Sequence, residues 1–290
     1  VKYQHKGQEI HFDMLREDAL HPIISGNKVR KLSLWIDKYY KDRMEAVLSF
    51  GGPFSNHLSA LAFICHKLNI PTRFLVRDTP MLKSSATMHF CREMGAEINP
   101  VPFGMYRMRN DPEHLDITRR SYRRHLVIPE GGSGSLGVNG VKRMVDDRMR
   151  AYDHVYVAVG TGATLYGIGL GLFHDKVLLH GVGAVPEKYL DKNWRANLPI
   201  NTHLHFDYLF GGYGQIQPEL QYFIQDFYEQ TGILLDPVYT SKTMYALCEQ
   251  YKEGERYLMV HTGGLQGFLG MLKHFPWVEE VLPQALVEKL

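Results

Sequence analysis

A lysine set where a Gly-Asn turn runs into an amphipathic segment is a candidate reactive amine, and the run from Ile23 to Leu32 places Lys28 there. The same placement also describes a solvated cation at a helix start, and Lys31 is a competing amine three residues on. A second stretch suits an anion. The apolar run Val155 to Val159 ends in Gly160, Thr161, Gly162, Ala163 and Thr164, with a helical pattern from Thr164 onward. Strand, glycine turn and helix start bring backbone N–H groups and the positive end of a helix dipole to one point, the geometry that holds a phosphate. A plain strand-to-helix turn reads the same way. A nicotinamide-nucleotide site fits less well, because Leu165 stands at the third glycine of GxGxxG and His180-Gly181-Val182-Gly183 lacks the acidic residue expected about 20 positions on. No GK[ST] follows, which removes a P-loop. Two more stretches carry polar groups at turns: Gly51-Gly52-Pro53-Phe54-Ser55-Asn56-His57, and Asp236-Pro237-Val238-Tyr239-Thr240.

The elements that would position these residues alternate. Ala46 to Phe50 is a short apolar run closed by Gly51-Gly52-Pro53, and the segment from Ser55 to Leu68 has helical apolar spacing at Leu58, Leu61, Ala62 and Leu68. A strand over 72–76, a helix over 84–94 closed by Gly95, and strands over 97–101 and 126–128 follow. A second block begins after the glycine-rich 131–140 stretch, with strands over 155–159, 176–185 and 257–260. Such alternation predicts an α/β fold with parallel sheets and right-handed crossovers. At 290 residues two packed domains are expected: a smaller inserted one at 34–139, and a larger one from 1–33 with 140–290, meeting along a cleft.

Composition narrows the partners. The net charge of +2 comes from 33 Lys and Arg against 31 Asp and Glu, which gives no electrostatic case for nucleic acid. Arg119, Arg120, Arg123 and Arg124 read as a solvated helix face. Cys65, Cys91 and Cys248 are isolated and outside any CxxC spacing, which argues for reduced thiols in a cytoplasmic protein. No apolar run of 18 residues predicts a membrane span, and Val1 to Lys6 has no apolar signal core. Fifteen histidines include no HExxH, so no metal is expected, and His203 and His205 read as one face of a strand.

Taken in order, the motifs resemble those of pyridoxal-phosphate enzymes with the tryptophan-synthase-β fold. Within them the chain is similar to the branch containing 1-aminocyclopropane-1-carboxylate deaminase and D-cysteine desulfhydrase. The resemblance spans about residue 15 to about residue 267. It implies a two-domain fold type II enzyme with the cofactor in the interdomain cleft, a Schiff base on Lys28, and Lys28 as the base that takes the Cα proton. It implies further that Asn56 donates to the phenolate oxygen of the cofactor ring and that Ser55, with its helix N-terminus, holds the substrate carboxylate. Ser55 would also serve as an ordinary helix cap.

By the same resemblance Gly160 to Thr164 bind the phosphate, and Tyr239 and Tyr213, the latter in Gly211-Gly212-Tyr213-Gly214, face the substrate. The cyclopropane deaminases carry a glutamate against the pyridine nitrogen where the desulfhydrases carry threonine, and this chain has Thr240. A neutral hydroxyl makes the ring a weaker electron sink, which favours β-elimination from a small amino acid to a 2-keto acid and ammonia. Opening of the cyclopropane substrate, and a non-catalytic cofactor-binding paralogue, are the alternatives. A homodimer is the assembly the resemblance implies. The segment before the lysine turn looks shorter than in relatives, and Gly51 to Phe54 replaces their amide or small residue before Ser-Asn.

Overall fold

The computed structural model describes residues 1–287 apart from Ser25 and Asp191. An antiparallel ribbon of β1 (Lys2–His5) and β2 (Gln8–His11) leads into β3 (Asp13–Arg16). The helix α1 (Asn27–Lys41) follows, then β4 (Ala46–Gly51), α2 (Asn56–Lys67), β5 (Thr72–Arg77), α3 (Ala86–Glu93) and β6 (Glu97–Val101). Next come α4 (Phe103–Arg107), α5 (Pro112–Ser121), β7 (His125–Ile128), α6 (Ser135–Lys142), α7 (Asp147–Arg150), β8 (His154–Val159) and α8 (Ala163–Gly171). The chain continues through β9 (Leu178–Gly183), α9 (Lys192–Ala196), β10 (Thr202–His205), α10 (Pro218–Thr231), α11 (Thr240–Gln250), β11 (Tyr257–His261) and α12 (Gln284–Val287).

Two wholly parallel sheets result. One has the order β6-β5-β4-β7 and the other β10-β9-β8-β11-β3. Both central strands, β4 and β8, are almost continuously buried, as strands covered by helices on both faces must be. Serine side chains begin two of the covering helices: Ser55 Oγ accepts from Leu58 N at 3.3 Å, and Ser85 Oγ from Met88 N at 3.2 Å. All four strands of the smaller sheet fall within 34–139. Residues 34 and 139, however, lie inside α1 and α6, which pack together, and Trp35 Nε1 donates to Gly132 O at 3.3 Å. The glycine-rich 131–140 stretch is therefore no linker; it turns into helix at Ser135.

One face of the larger sheet carries a row of imidazoles. His154 Nδ1 lies 2.9 Å from His180 Nε2, and His180 Nδ1 lies 3.0 Å from His205 Nε2. Glu255 closes one end, 2.8 Å from His154 Nε2, and Gln250 Nε2 the other, 3.2 Å from His205 Nδ1. His203 is exposed and stacks on His180. His203 is in register with His180 and His205 with Val182, so the row runs diagonally across three parallel strands, a proximity no local pattern reveals. Among the described residues no group of three His, Cys, Asp or Glu could hold a metal ion, and no helix is long and apolar enough to cross a membrane. Arg119, Arg120, Arg123 and Arg124 are all exposed, and the three cysteines are buried and form no disulfide among the described residues.

Candidate functional site

A cavity of about 1020 Å³ lies between the carboxyl ends of the two sheets, and every motif of the sequence reaches it or stands directly behind its wall. The lysine turn comes first. Gly26 has φ 77°, and a Cβ there would sit 1.7 Å from Thr262 O, so only glycine lets the chain pass. Gly26 N donates to Glu17 O at 2.9 Å, and the buried Glu17 carboxylate takes a bidentate pair from Arg30, both contacts at 2.9 Å. Clamped at both ends, the turn presents Lys28 on the first turn of α1. Lys28 Nζ donates to Asn27 Oδ1 at 2.7 Å, and Asn27 Nδ2 donates to Thr164 Oγ1 at 2.8 Å. One amide thus joins the amine to the glycine loop. Burial pulls the Lys28 pKa down to about 8, against the opposing pull of the Asp236 carboxylate.

Gly160, Thr161, Gly162 and Thr164 form the facing wall, while Ala163 is fully buried behind it. Gly162 caps α8 with φ 96°, and a Cβ there would fall 2.3 Å from Leu190 Cδ1. Ser55 and Asn56 line the opposite side at the start of α2, and Asn56 Oδ1 is buried without a partner. His57 is also on the wall. Ser49 Oγ spends its hydrogen on Ile128 O at 2.8 Å, so it accepts from His57 Nε2 at 2.8 Å and leaves His57 Nδ1 a bare, unpartnered acceptor. Burial, then the charges of Lys28 and Lys31, lower the His57 pKa to about 3 and keep it neutral.

The third wall comes from the start of α11. Asp236 is fully buried, and its carboxylate accepts from Val238 N, Tyr239 N and Thr240 N at 2.9, 2.9 and 2.7 Å. This fixes Tyr239, whose ring lies against Gly160 and whose hydroxyl is 3.4 Å from that of Tyr213. Desolvation in the cleft raises the pKa of both phenols, although Tyr213 is 57% exposed at the cavity mouth, and each stays a donor at neutral pH. Lys242, wholly buried two residues after Thr240, donates to Leu209 O at 2.7 Å and Gly212 O at 2.9 Å and so holds the loop that carries Tyr213.

Thr240 differs from its expected place. Its hydroxyl donates to Asp236 Oδ2 at 2.7 Å and accepts from Asp236 N at 2.8 Å, and the residue stands behind the cavity wall. Local capping chemistry claims the side chain first.

Several lining residues stand where the sequence alone assigned them no place. Lys31 is buried, and desolvation and the nearby Lys28 hold its pKa well below the usual lysine range. Gln266 Nε2 is buried and unpartnered. Arg77, Tyr106, Arg109 and Glu130 form the small-sheet side, where Glu130 accepts from Tyr106 OH and, at 2.6 Å, from Arg109 Nε. The signal for Lys31 was present: positions 28, 31, 32, 35 and 39 share one helical face, and the rest of that face is Leu32, Trp35 and Tyr39.

Residues 8–263 match the family described as "Pyridoxal-phosphate dependent enzyme". A mitochondrial Arabidopsis thaliana protein named bifunctional D-cysteine desulfhydrase/1-aminocyclopropane-1-carboxylate deaminase is 27% identical, over 87% of this chain and 72% of its own length. A D-cysteine desulfhydrase of Klebsiella pneumoniae is 25% identical, over 93% of this chain and 91% of its own. A solved structure described as an ACC deaminase homologue superposes with a TM-score of 0.75 at 26% identity, covering 96% of this chain and 88% of the other.

Proposed function

Because the chain belongs to the pyridoxal-phosphate dependent enzymes, we propose that it is a lyase that removes the Cα proton of a small amino acid and expels a β substituent, releasing ammonia and a 2-keto acid. The observation that carries this reading is the Lys28-Asn27-Thr164 chain, which sets a buried amine of lowered pKa beside a helix-capped glycine loop. The side chains present fit the cofactor. An amine for the aldehyde, backbone donors and the buried Lys31 for the phosphate, and two unpartnered polar atoms, the acceptor Asn56 Oδ1 and the donor Gln266 Nε2, all converge on one cavity. When bound, the cofactor supplies the ring that delocalises the electron pair left at Cα.

Each residue then has a task. Lys28 holds the cofactor covalently and, once released, its neutral Nζ takes the Cα proton. Ser55 and the N–H groups opening α2 orient the substrate carboxylate. Tyr239 and Tyr213, both protonated phenols at neutral pH, position the substrate or pass a proton to what leaves. Elimination would be favoured over ring opening because the buried carboxylate at the start of α11, Asp236, is engaged with its own backbone and with Thr240 and so would not be free to pair with a ring nitrogen. The names of the relatives keep the cyclopropane amino acid as the second candidate substrate. We propose a homodimer in solution, which sedimentation would read directly.

The deciding experiment is a screen of small D- and L-amino acids for keto-acid and ammonia release. We expect β-chloroalanine or cysteine, in one enantiomer, to exceed 1-aminocyclopropane-1-carboxylate in kcat/KM; the reverse order overturns elimination as the main activity. Tyr239→Phe should lower turnover while the visible absorbance of the bound cofactor stays intact.

A further inference from the structure

Resting on that lyase reading, we propose that the preferred amino acid bears an anionic β substituent, and that Arg77 is the residue that recognises it. Arg77 ends β5 at its carboxyl edge, one strand over from the β4 end that leads to Ser55. Ligands of open parallel sheets gather at that edge. Its side chain lines the cavity, and its Nε is buried without a hydrogen-bond partner. Among the described residues it makes no ion pair, although Arg73 on the same strand pairs with Glu97, and Arg109 on the same wall pairs with Glu130. The Tyr106 ring, 6.0 Å from the guanidinium carbon, is at the outer limit of a cation–π contact and does not replace a carboxylate.

The other anions of a bound complex already have donors. The glycine loop and Lys31 would hold the phosphate, and Ser55 with the start of α2 would hold the α-carboxylate. A guanidinium left over in a partly desolvated wall calls for one further anion, since an unpaired charge there is costly. Besides desolvation, Arg77 and Glu130 both act on the Tyr213 phenol, Glu130 raising its pKa and Arg77 opposing that rise more weakly, which puts Arg77 at the substrate end of the cavity beside a carboxylate already taken by Arg109 and Tyr106. Placed at the β position, a phosphate or sulfate ester would receive a charge-assisted pair of hydrogen bonds that strengthens as negative charge builds on the departing group. With O-phosphoserine the Cα–H and Cβ–O bonds break, the Cβ–O electron pair leaves on phosphate, and one water is consumed. The products are pyruvate, ammonia and phosphate.

The test titrates the cofactor-loaded protein with both enantiomers of O-phosphoserine and of the neutral O-methylserine, following the change in visible absorbance, which needs no turnover. We expect wild type to bind one enantiomer of O-phosphoserine about 10- to 100-fold tighter than O-methylserine, the range of one charged hydrogen-bonded pair. In Arg77→Met that ratio should collapse toward one, and Arg77→Lys should recover part of it. A wild-type ratio near one, or a ratio unmoved in Arg77→Met, overturns the proposal while leaving the lyase reading in place. Wild type alone decides the matter if the variant does not fold. If neither amino acid changes the spectrum although borohydride fixes cofactor to Lys28, this proposal falls, while the lyase reading is decided by keto-acid release from cysteine and β-chloroalanine.

Discussion

Lys28 can attack an aldehyde only as a free amine, so its lowered pKa fixes when it reacts. Cofactor uptake by the cofactor-free protein should rise as pH passes about 8 and level off above it; a rise delayed toward the ordinary lysine value of 10.5 would contradict the buried setting. The sign for stability follows: the folded state binds this proton less tightly than the unfolded chain, so burying the ammonium costs stability below about pH 8. That cost fades between about 8 and 10.5. Lys28→Ala should abolish the borohydride-fixed adduct, whereas Lys31→Met should keep the adduct and lose grip on the phosphate, seen as faster loss of cofactor on dialysis. At this scale the sequence exposed residues whose chemistry shows locally, such as a lysine after Gly-Asn, a serine at a helix start and a glycine-rich turn. It offered Lys31 only as a rival amine and hid Arg77, because a cation at a strand end looks solvated until the opposing wall is known.

The first two turns of α11 tie three functions to one helix: Tyr239 at its cap, the Asp236–Thr240 pair beneath it, and Lys242 reaching to the Tyr213 loop. Lys242→Met removes the donor for two carbonyl oxygens 33 and 30 residues away in the chain. Turnover should fall through a misplaced Tyr213, the cofactor absorbance should persist, and denaturant stability should drop by about 1–3 kcal/mol for stranded acceptors. Loss of stability with unchanged kcat would reduce Lys242 to a structural prop. Gly26→Ala tests the lysine turn in the same way. With Thr262 O in the path of the new Cβ and a left-handed backbone, it should cost at least about 2 kcal/mol, measured by denaturant unfolding. The predicted strands and helices of the middle of the chain lie within a few residues of the observed ones, because buried apolar runs and serine caps are local signals. The support given by Lys242 is a contact between distant segments, so no window of sequence displays it.

For the whole molecule, parallel sheets and a cavity at their carboxyl ends follow from the alternation of apolar strands and amphipathic helices, and that much was legible. We propose that 34–139 forms the smaller unit and 1–33 with 140–290 the larger, sharing α1 and α6 across the boundary; limited proteolysis should then spare both helices and cut in exposed loops. The shared helices were not legible, since glycine-rich 131–140 reads as a break until α1 is seen packed on it. The imidazole row, invisible to sequence for the same reason, has a direction. Gln250 Nε2 can only donate and the Glu255 carboxylate only accept, so every ring between them must carry its hydrogen on Nε2. No ring can reverse alone, because two hydrogens, or none, would then face each other across a 3 Å gap. The row therefore behaves as a one-way ratchet with a fixed proton inventory, which nitrogen NMR would read as three rings locked in one tautomer. Acid has to break the row to enter it: burial and its neighbouring rings hold His180 near 3 against an ordinary 6.5, so the edge of the large sheet should loosen progressively as pH falls below 6.5.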